Sequence, residues 1–251
     1  MRFWDWLRKI FPWWVRYYNR FEVRGINNLP KKGSAIIALN HSGGLDLDNF
    51  CIMSTLEQFK TDNPARKRIW LCYWDKWSIG DNIWAYWVQK FSPIPISLIG
   101  NGIPFNLVDK IIRKGELIAI TPEGHSAALH EGYRLWKFYP GVIKLHIRYK
   151  IPIIPTASIG FVKAAPILTN HYNPEVIPPW EKELMLPFIF PYKLIFHFGK
   201  AVMYEDYFNR NVSKEMMFNL AQDLRIKVKD MISLYRSNIT HSNPFGAKTG
   251  F

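Results

Sequence analysis

Residues 34–48 read SAIIALNHSGGLDLD. Ser34 to Asn40 is almost wholly apolar, which predicts a short strand buried on both faces, as in a parallel sheet covered by helices. The chain then leaves that strand and presents a histidine, two glycines and two carboxylates in eight residues. In open α/β sheets ligands bind at the carboxyl ends of strands. A second apolar run, ELIAIT (116–121), is followed by Pro122-Glu123-Gly124, so His41 and Glu123 are expected on one rim.

Working outward, RIWLCYW (68–74), PIIPTAS (152–158) and KLIFHFG (193–199) predict further strands, and SPIPIS (92–97) a short extended piece. Helices are predicted over 48–59, 83–91, 105–114 (with Gly115 as its C′ residue), 141–150 and 212–236. In the last, Met217, Leu220, Leu224, Val228, Met231 and Tyr235 form one face, and Ser213 is the expected N-cap. Alternating strands and helices define an α/β class with a mixed, largely parallel central sheet flanked by helices.

Residues 1–24 are expected to form a separate amphipathic segment ahead of a domain spanning 25–251. Phe3, Leu7, Ile10 and Trp14 recur at helical spacing, Trp6, Trp13 and Tyr17 widen the stripe, and five basic residues lie among them. Pro12 is expected to kink or divide the helix. Aromatic bulk beside arginines suits the headgroup region of a bilayer; the competing reading is packing on the protein's own core.

Lys and Arg number 33 against 20 Asp and Glu, a net charge of +13, which points to anionic partners: a membrane surface, phosphorylated ligands or nucleic acid. Nucleic acid is the weakest of these, because no recognition motif is visible, the basic residues are dispersed and tryptophans concentrate at the N-terminus. Cys51 and Cys72 are the only cysteines and suggest neither a disulfide framework nor a zinc site. No run of about 18 uninterrupted apolar residues occurs, and no cleavable leader is visible.

For chemistry, His41 and Asp46 form a candidate dyad: a carboxylate on one imidazole nitrogen sets the tautomer and raises the basicity of the other. Such a pair would activate a substrate hydroxyl, having no protein nucleophile of its own. A metal site from His41, Asp46 and Asp48 is a competing reading that lacks a second histidine and a recognised ligand spacing. The stretch Gly124-His125-Ser126-Ala127-Ala128 approaches a G-x-S-x-G nucleophile elbow, with His197 or His241 as base. It makes a serine esterase or thioesterase the alternative function.

Four pieces then stand in order: Asn40-His41-Ser42-Gly43-Gly44-Leu45-Asp46, Thr121-Pro122-Glu123-Gly124, Ile151-Pro152-Ile153-Ile154-Pro155, and the late strand within PFIFPYKLIFHFGKAV. In these the chain resembles the phospholipid/glycerol acyltransferase family, the PlsC-type superfamily, over roughly residues 25–210. With Tyr133-Arg134-Leu135-Trp136-Lys137, it looks most like the mono- and diacylglycerol acyltransferase-like branch. The resemblance implies acyl transfer from acyl-CoA or acyl-carrier protein to a glycerolipid or lysophospholipid hydroxyl, with His41 as general base and Asp46 orienting it. It further implies substrate contacts from Asn40, Gly43, Gly44, Glu123, Gly124, Arg134 and Lys137, oxyanion stabilisation by backbone amides at the turns, no metal and no cofactor. A peripheral, monotopic place on the cytoplasmic membrane face goes with it, as does the possibility of an inactive lipid-binding relative. The family's phosphate-binding arginine is absent from SPIPISLIGNGIPF, and His125-Ser126 replaces Thr-Arg after Pro-Glu-Gly. The implied acceptor therefore has a neutral head, or a phosphate met by Arg134, Lys137 or Lys163.

Overall fold

The computed structural model describes residues 3–58, 69–75, 94–96, 102–173 and 180–235. Its centre is a seven-stranded sheet. The strands are β1 (Glu22–Arg24), β2 (Ala35–Leu39), β3 (Ile69–Trp74), β4 (Ile94–Ile96), β5 (Leu117–Ile120), β6 (Ile153–Ile159) and β9 (Ile195–Phe198), in the order β1-β9-β6-β2-β5-β3-β4. Only the β6–β9 pairing is antiparallel; the other five neighbouring pairs are parallel. The class is the expected mixed, largely parallel α/β sheet.

β2 lies near the middle, between β5 and β6, and every residue of it is buried. Ile36 and Ala38 enter a core shared with Val108 and Ile111 of α3 (Phe105–Arg113), Val142 and Leu145 of α4 (Gly141–Tyr149), and α6 (Lys214–Ser233). Ala35, Ile37 and Leu39 enter the opposite core with Val15 of α1 (Phe3–Tyr18) and Cys51 and Ile52 of α2 (Leu47–Gln58). Strand alternation thus feeds two helical layers, which is why the sequence shows a continuous apolar run rather than a polar–apolar repeat.

Helix ends follow local chemistry. Ser213 caps α6 by accepting the Met216 N–H at 3.1 Å. Gly115, at φ 69°, ends α3 with its own N–H on the Ile112 carbonyl and the Glu116 N–H on the Ile111 carbonyl, the paired bonds of a Schellman motif.

Two features depart from expectation. α1 is one helix with Pro12 inside it. The lost backbone hydrogen bond is offset by packing: Pro12 is buried, Val15 is fully buried, and Phe11 meets Phe50 of α2 edge-on at 5.9 Å. Glu22–Arg24, assigned from sequence to the N-terminal segment, is an edge strand of the main sheet. β6, expected from PIIPTAS, is followed by a short helix α5 (Phe161–Ala164) and a separate antiparallel hairpin, β7 (Ile167–Asn173) with β8 (Trp180–Met185). The helix expected at 83–91 lies outside the described residues. Among the described residues no helix is long and apolar enough to cross a membrane.

Candidate active site

The site forms where β2 ends. Asn40 is 2% exposed and spends both ends of its amide on β6: Nδ2 donates to the Ser158 carbonyl at 3.1 Å, and Oδ1 accepts the Ser158 N–H at 2.7 Å. It extends the β2–β6 pairing by one side chain. The expected substrate contact from Asn40 is therefore replaced by a structural clamp directly before His41.

His41 is held on its backbone from two sides. Its N–H donates to Glu123 Oε1 at 3.1 Å, and its carbonyl accepts the Ala127 N–H at 3.1 Å. Its ring Nδ1 meets Asp48 Oδ2 at 2.8 Å, with 14% of the His41 side chain and none of the Asp48 side chain exposed. The orienting carboxylate is Asp48, and the expectation for Asp46 is corrected. Leu45 (φ 58°) and Asp46 (φ 50°) are both left-handed, an arrangement costing on the order of 1 kcal/mol per non-glycine residue. This double turn starts α2 at Leu47 and leaves Asp46 exposed, accepting a hydrogen bond from Asn49 Nδ2 at 3.2 Å. The first helical turn then brings Asp48 back beneath His41. Asp48 also accepts the Ser42 N–H at 3.1 Å and the Asn49 N–H at 2.8 Å.

Burial of the His41 ring disfavours its charged form. The Asp48 carboxylate, by charge and by hydrogen bond, overcomes this with help from Asp46 and Glu183, and the pKa is pushed up to about 10. With Nδ1 occupied, Nε2 is the nitrogen left for proton transfer.

Both glycines of the turn are packed by the protein itself. A Cβ on Gly43, at φ 81°, would collide with the Phe161 carbonyl oxygen. Gly44 donates its N–H to the Ala165 carbonyl at 2.6 Å, and a Cβ there would press on Ile167 and Met185 at 3.3 Å. The glycines admit the hairpin and α5, so the close neighbours at the two positions where substrate contacts were expected are the protein's own.

Glu123 is 2% exposed and likewise turns inward. Its second oxygen accepts the Trp136 N–H at 2.8 Å, so one carboxylate ties His41 to the 131–137 loop. Burial pushes its pKa up to about 8, against the hydrogen bonds from Trp136 and His41. Gly124 is exposed at φ 75°. Arg134 and Lys137 are exposed, stacked over Trp136 and Tyr139. Arg134 lines a cavity of about 500 Å³ together with Arg225 and Lys229 of α6, cations that sequence spacing does not connect to it; Lys137 is not part of that lining.

The stretch 124–128 is not an elbow. Ser126 is buried, its carbonyl accepts Asn170 Nδ2 at 2.6 Å, and no α-helix follows. His125 is buried edge-on to Trp136 at 4.8 Å, and burial lowers its pKa to about 4. His197 lies on β9, its Nδ1 3.0 Å from the Tyr235 hydroxyl, and His241 is outside the described residues. Among the described residues no group of three His, Cys, Asp or Glu could hold a metal ion.

The sheet and its flanking helices have the PlsC acyltransferase fold. The solved 1-acyl-sn-glycerophosphate acyltransferase PlsC of Thermotoga maritima aligns over 92% of this chain and 83% of its own, with a TM-score of 0.52 and 13% identity. In sequence, the chain is 24% identical over 173 residues to an uncharacterized protein of Mycobacterium tuberculosis, 65% of this chain and 44% of that protein. An uncharacterized protein of Mycobacterium leprae is 26% identical over 169 residues, covering 65% and 43%. The chain thus spans less than half the length of these relatives. No family model matches.

Proposed function

We propose that this chain is an O-acyltransferase that moves a fatty acyl group from an acyl thioester to a hydroxyl of a glycerolipid or lysophospholipid. The observation that carries this is the His41–Asp48 pair at the carboxyl end of a central parallel strand, in a fold similar to that of PlsC. His41 Nε2 takes the proton of the acceptor hydroxyl, whose oxygen attacks the thioester carbonyl carbon. The tetrahedral intermediate collapses to an ester and a thiolate, and the imidazolium returns the proton to the thiolate. Asp48 holds the tautomer and stabilises the imidazolium. The amides of His41, Ser42 and Gly44 are committed within the protein, so oxyanion stabilisation falls to other groups. Arg134, with Arg225 and Lys229, offers positive charge to a phosphate of donor or acceptor. The donor is acyl-CoA or acyl-carrier protein, no metal or cofactor takes part, and the enzyme works as a peripheral protein on the cytoplasmic membrane face.

The test is thiol release from long-chain acyl-CoA with a panel of glycerolipid acceptors, for wild type, His41→Ala and Ser126→Ala. Acceptor-dependent release abolished in His41→Ala and retained in Ser126→Ala is the expected result. Acceptor-independent release lost only in Ser126→Ala would replace the transferase by a thioesterase.

A further inference from the structure

The hairpin β7–β8 stands outside the main sheet, and its base lies against the catalytic turn. Ile167 and Met185 pack on Gly44, and Glu183 is close enough to His41 to raise its basicity. Strand alternation turns the neighbouring residue the other way: Leu184 is 59% exposed, and Leu168, at the register irregularity, is also exposed. The chain leaving the hairpin continues the apolar surface with Phe188, 64% exposed, and Phe190.

That segment is fastened to the end of α1. Tyr18 Oη donates to the Ile189 carbonyl at 3.0 Å, Asn19 Nδ2 donates to the carbonyls of Phe190 (2.8 Å) and Tyr192 (3.0 Å), and Arg20 donates to the Pro191 carbonyl at 2.6 Å. Trp13 and Tyr17, both exposed and tilted against each other with ring centroids 4.9 Å apart, belong to the last turns of the same helix. Single exposed apolar side chains are ordinary, but several large ones on two segments held together mark a contact surface.

We propose that the hairpin flank, the 186–190 segment and the exposed side of α1 form one lipid-docking surface, which seats the chain on an anionic bilayer with the His41 turn directly behind the hairpin. The inference rests on the acyltransferase reading for its purpose, since a long-chain acceptor must be drawn from a membrane. Three observations select a bilayer as the occupant. Trp and Tyr are the side chains of the water–lipid boundary. Arg16 and Arg20 flank the patch in the exposed positions that meet anionic headgroups. The chain carries a net +13.

Deleting α1 is a poor test, because its Pro12 and Val15 are buried in the fold. The substitutions Leu184→Ser and Phe188→Ser change side chains that are mostly exposed and leave the helix in place. The full chain is floated at high salt with vesicles of phosphatidylglycerol and phosphatidylcholine, so that screening removes the general electrostatic share. The double variant is expected to lose roughly tenfold or more in vesicle partitioning, with unchanged circular dichroism and Tm. Phe188→Ser alone, as a second and milder variant, is expected to lose less. Partitioning equal to wild type in both variants overturns the proposal. So does a wild-type dimer that the substitutions dissociate while vesicle binding is unaltered, which would make the patch an interface between copies. Vesicle binding needs no turnover. Lost binding in a chain without transferase activity sustains the docking surface and removes the catalytic reading; retained binding with active enzyme does the reverse.

Discussion

Asp48→Asn is the sharpest perturbation the site offers. Asp48 accepts three donors, the His41 ring, the Ser42 N–H and the Asn49 N–H, and is fully buried. An asparagine of the same shape keeps its acceptor oxygen in the place of Oδ2, which serves the His41 ring and the Ser42 N–H, and turns its NH2 group toward the Asn49 N–H, so the ring keeps a hydrogen bond and loses its charge partner. General-base catalysis of this kind contributes about 10²–10⁴-fold, which is about 3–5.5 kcal/mol of barrier. Asp48→Asn is expected to reduce kcat/KM by that order. Asp46→Asn, which removes an exposed carboxylate felt by His41 only through space, is expected to cost less than about tenfold. The pH profile separates charge from orientation. In wild type, His41 is held protonated at neutral pH, so its basic form, and with it the rate, increases as pH rises toward about 10. Without the Asp48 charge, burial dominates and the rising limb moves to lower pH, while the plateau drops. The assay is acceptor-dependent thiol release between pH 6 and 10 for wild type and both variants. Full activity in Asp48→Asn with loss in Asp46→Asn would refute the pairing, as would a rising limb that stays in place.

Glu123→Ala leaves the buried N–H groups of His41 and Trp136 without an acceptor. At about 1–3 kcal/mol for each orphaned donor, it is expected to cost about 2–6 kcal/mol in urea unfolding and to depress activity even where the protein remains folded. Because burial raises the folded-state pKa of Glu123 to about 8, this group's contribution to stability is complete below its unfolded value and is lost as pH rises through about 8. The wild-type stability curve is expected to show that decline and Glu123→Ala to lack it. Gly43→Ala forces a Cβ onto the Phe161 carbonyl and a left-handed φ on alanine; a loss of at least about 2 kcal/mol is expected, measured by the shift in urea midpoint.

Most of the fold was legible because it rests on short-range chemistry. The apolar runs at 35–39, 117–120 and 153–159 are strands buried on both faces, and Ser213 and Gly115 mark helix ends through bonds made within a few residues. What escaped depends on distant partners. Glu22–Arg24 has no apolar pattern and becomes a strand only by pairing with Ile195–His197. The hairpin strand ILTNHYN is too polar to signal burial and is defined by its partner strand and by its seat over Gly44. In the site, His41 and Glu123 meet on one rim as expected, but the carboxylate against the His41 ring is Asp48 and not Asp46. Spacing offers Asp46 and Asp48 equally. The choice is made by two consecutive left-handed residues, Leu45 and Asp46, whose conformation depends on where α2 starts. Glycines, too, signal closeness without saying to what, and here the close neighbours are Phe161, Ile167 and Met185.

The single carboxylate of Glu123 has a mechanical consequence. With one oxygen on the His41 amide and the other on the Trp136 amide, the base and the 131–137 loop are hitched to the same anchor. On the far side of that loop, Arg225 donates to the Leu135 carbonyl and Gln222 to the Phe138 carbonyl, so α6 holds it as well. The histidine therefore has a fixed rear wall that cannot swing aside without pulling on the His41 backbone.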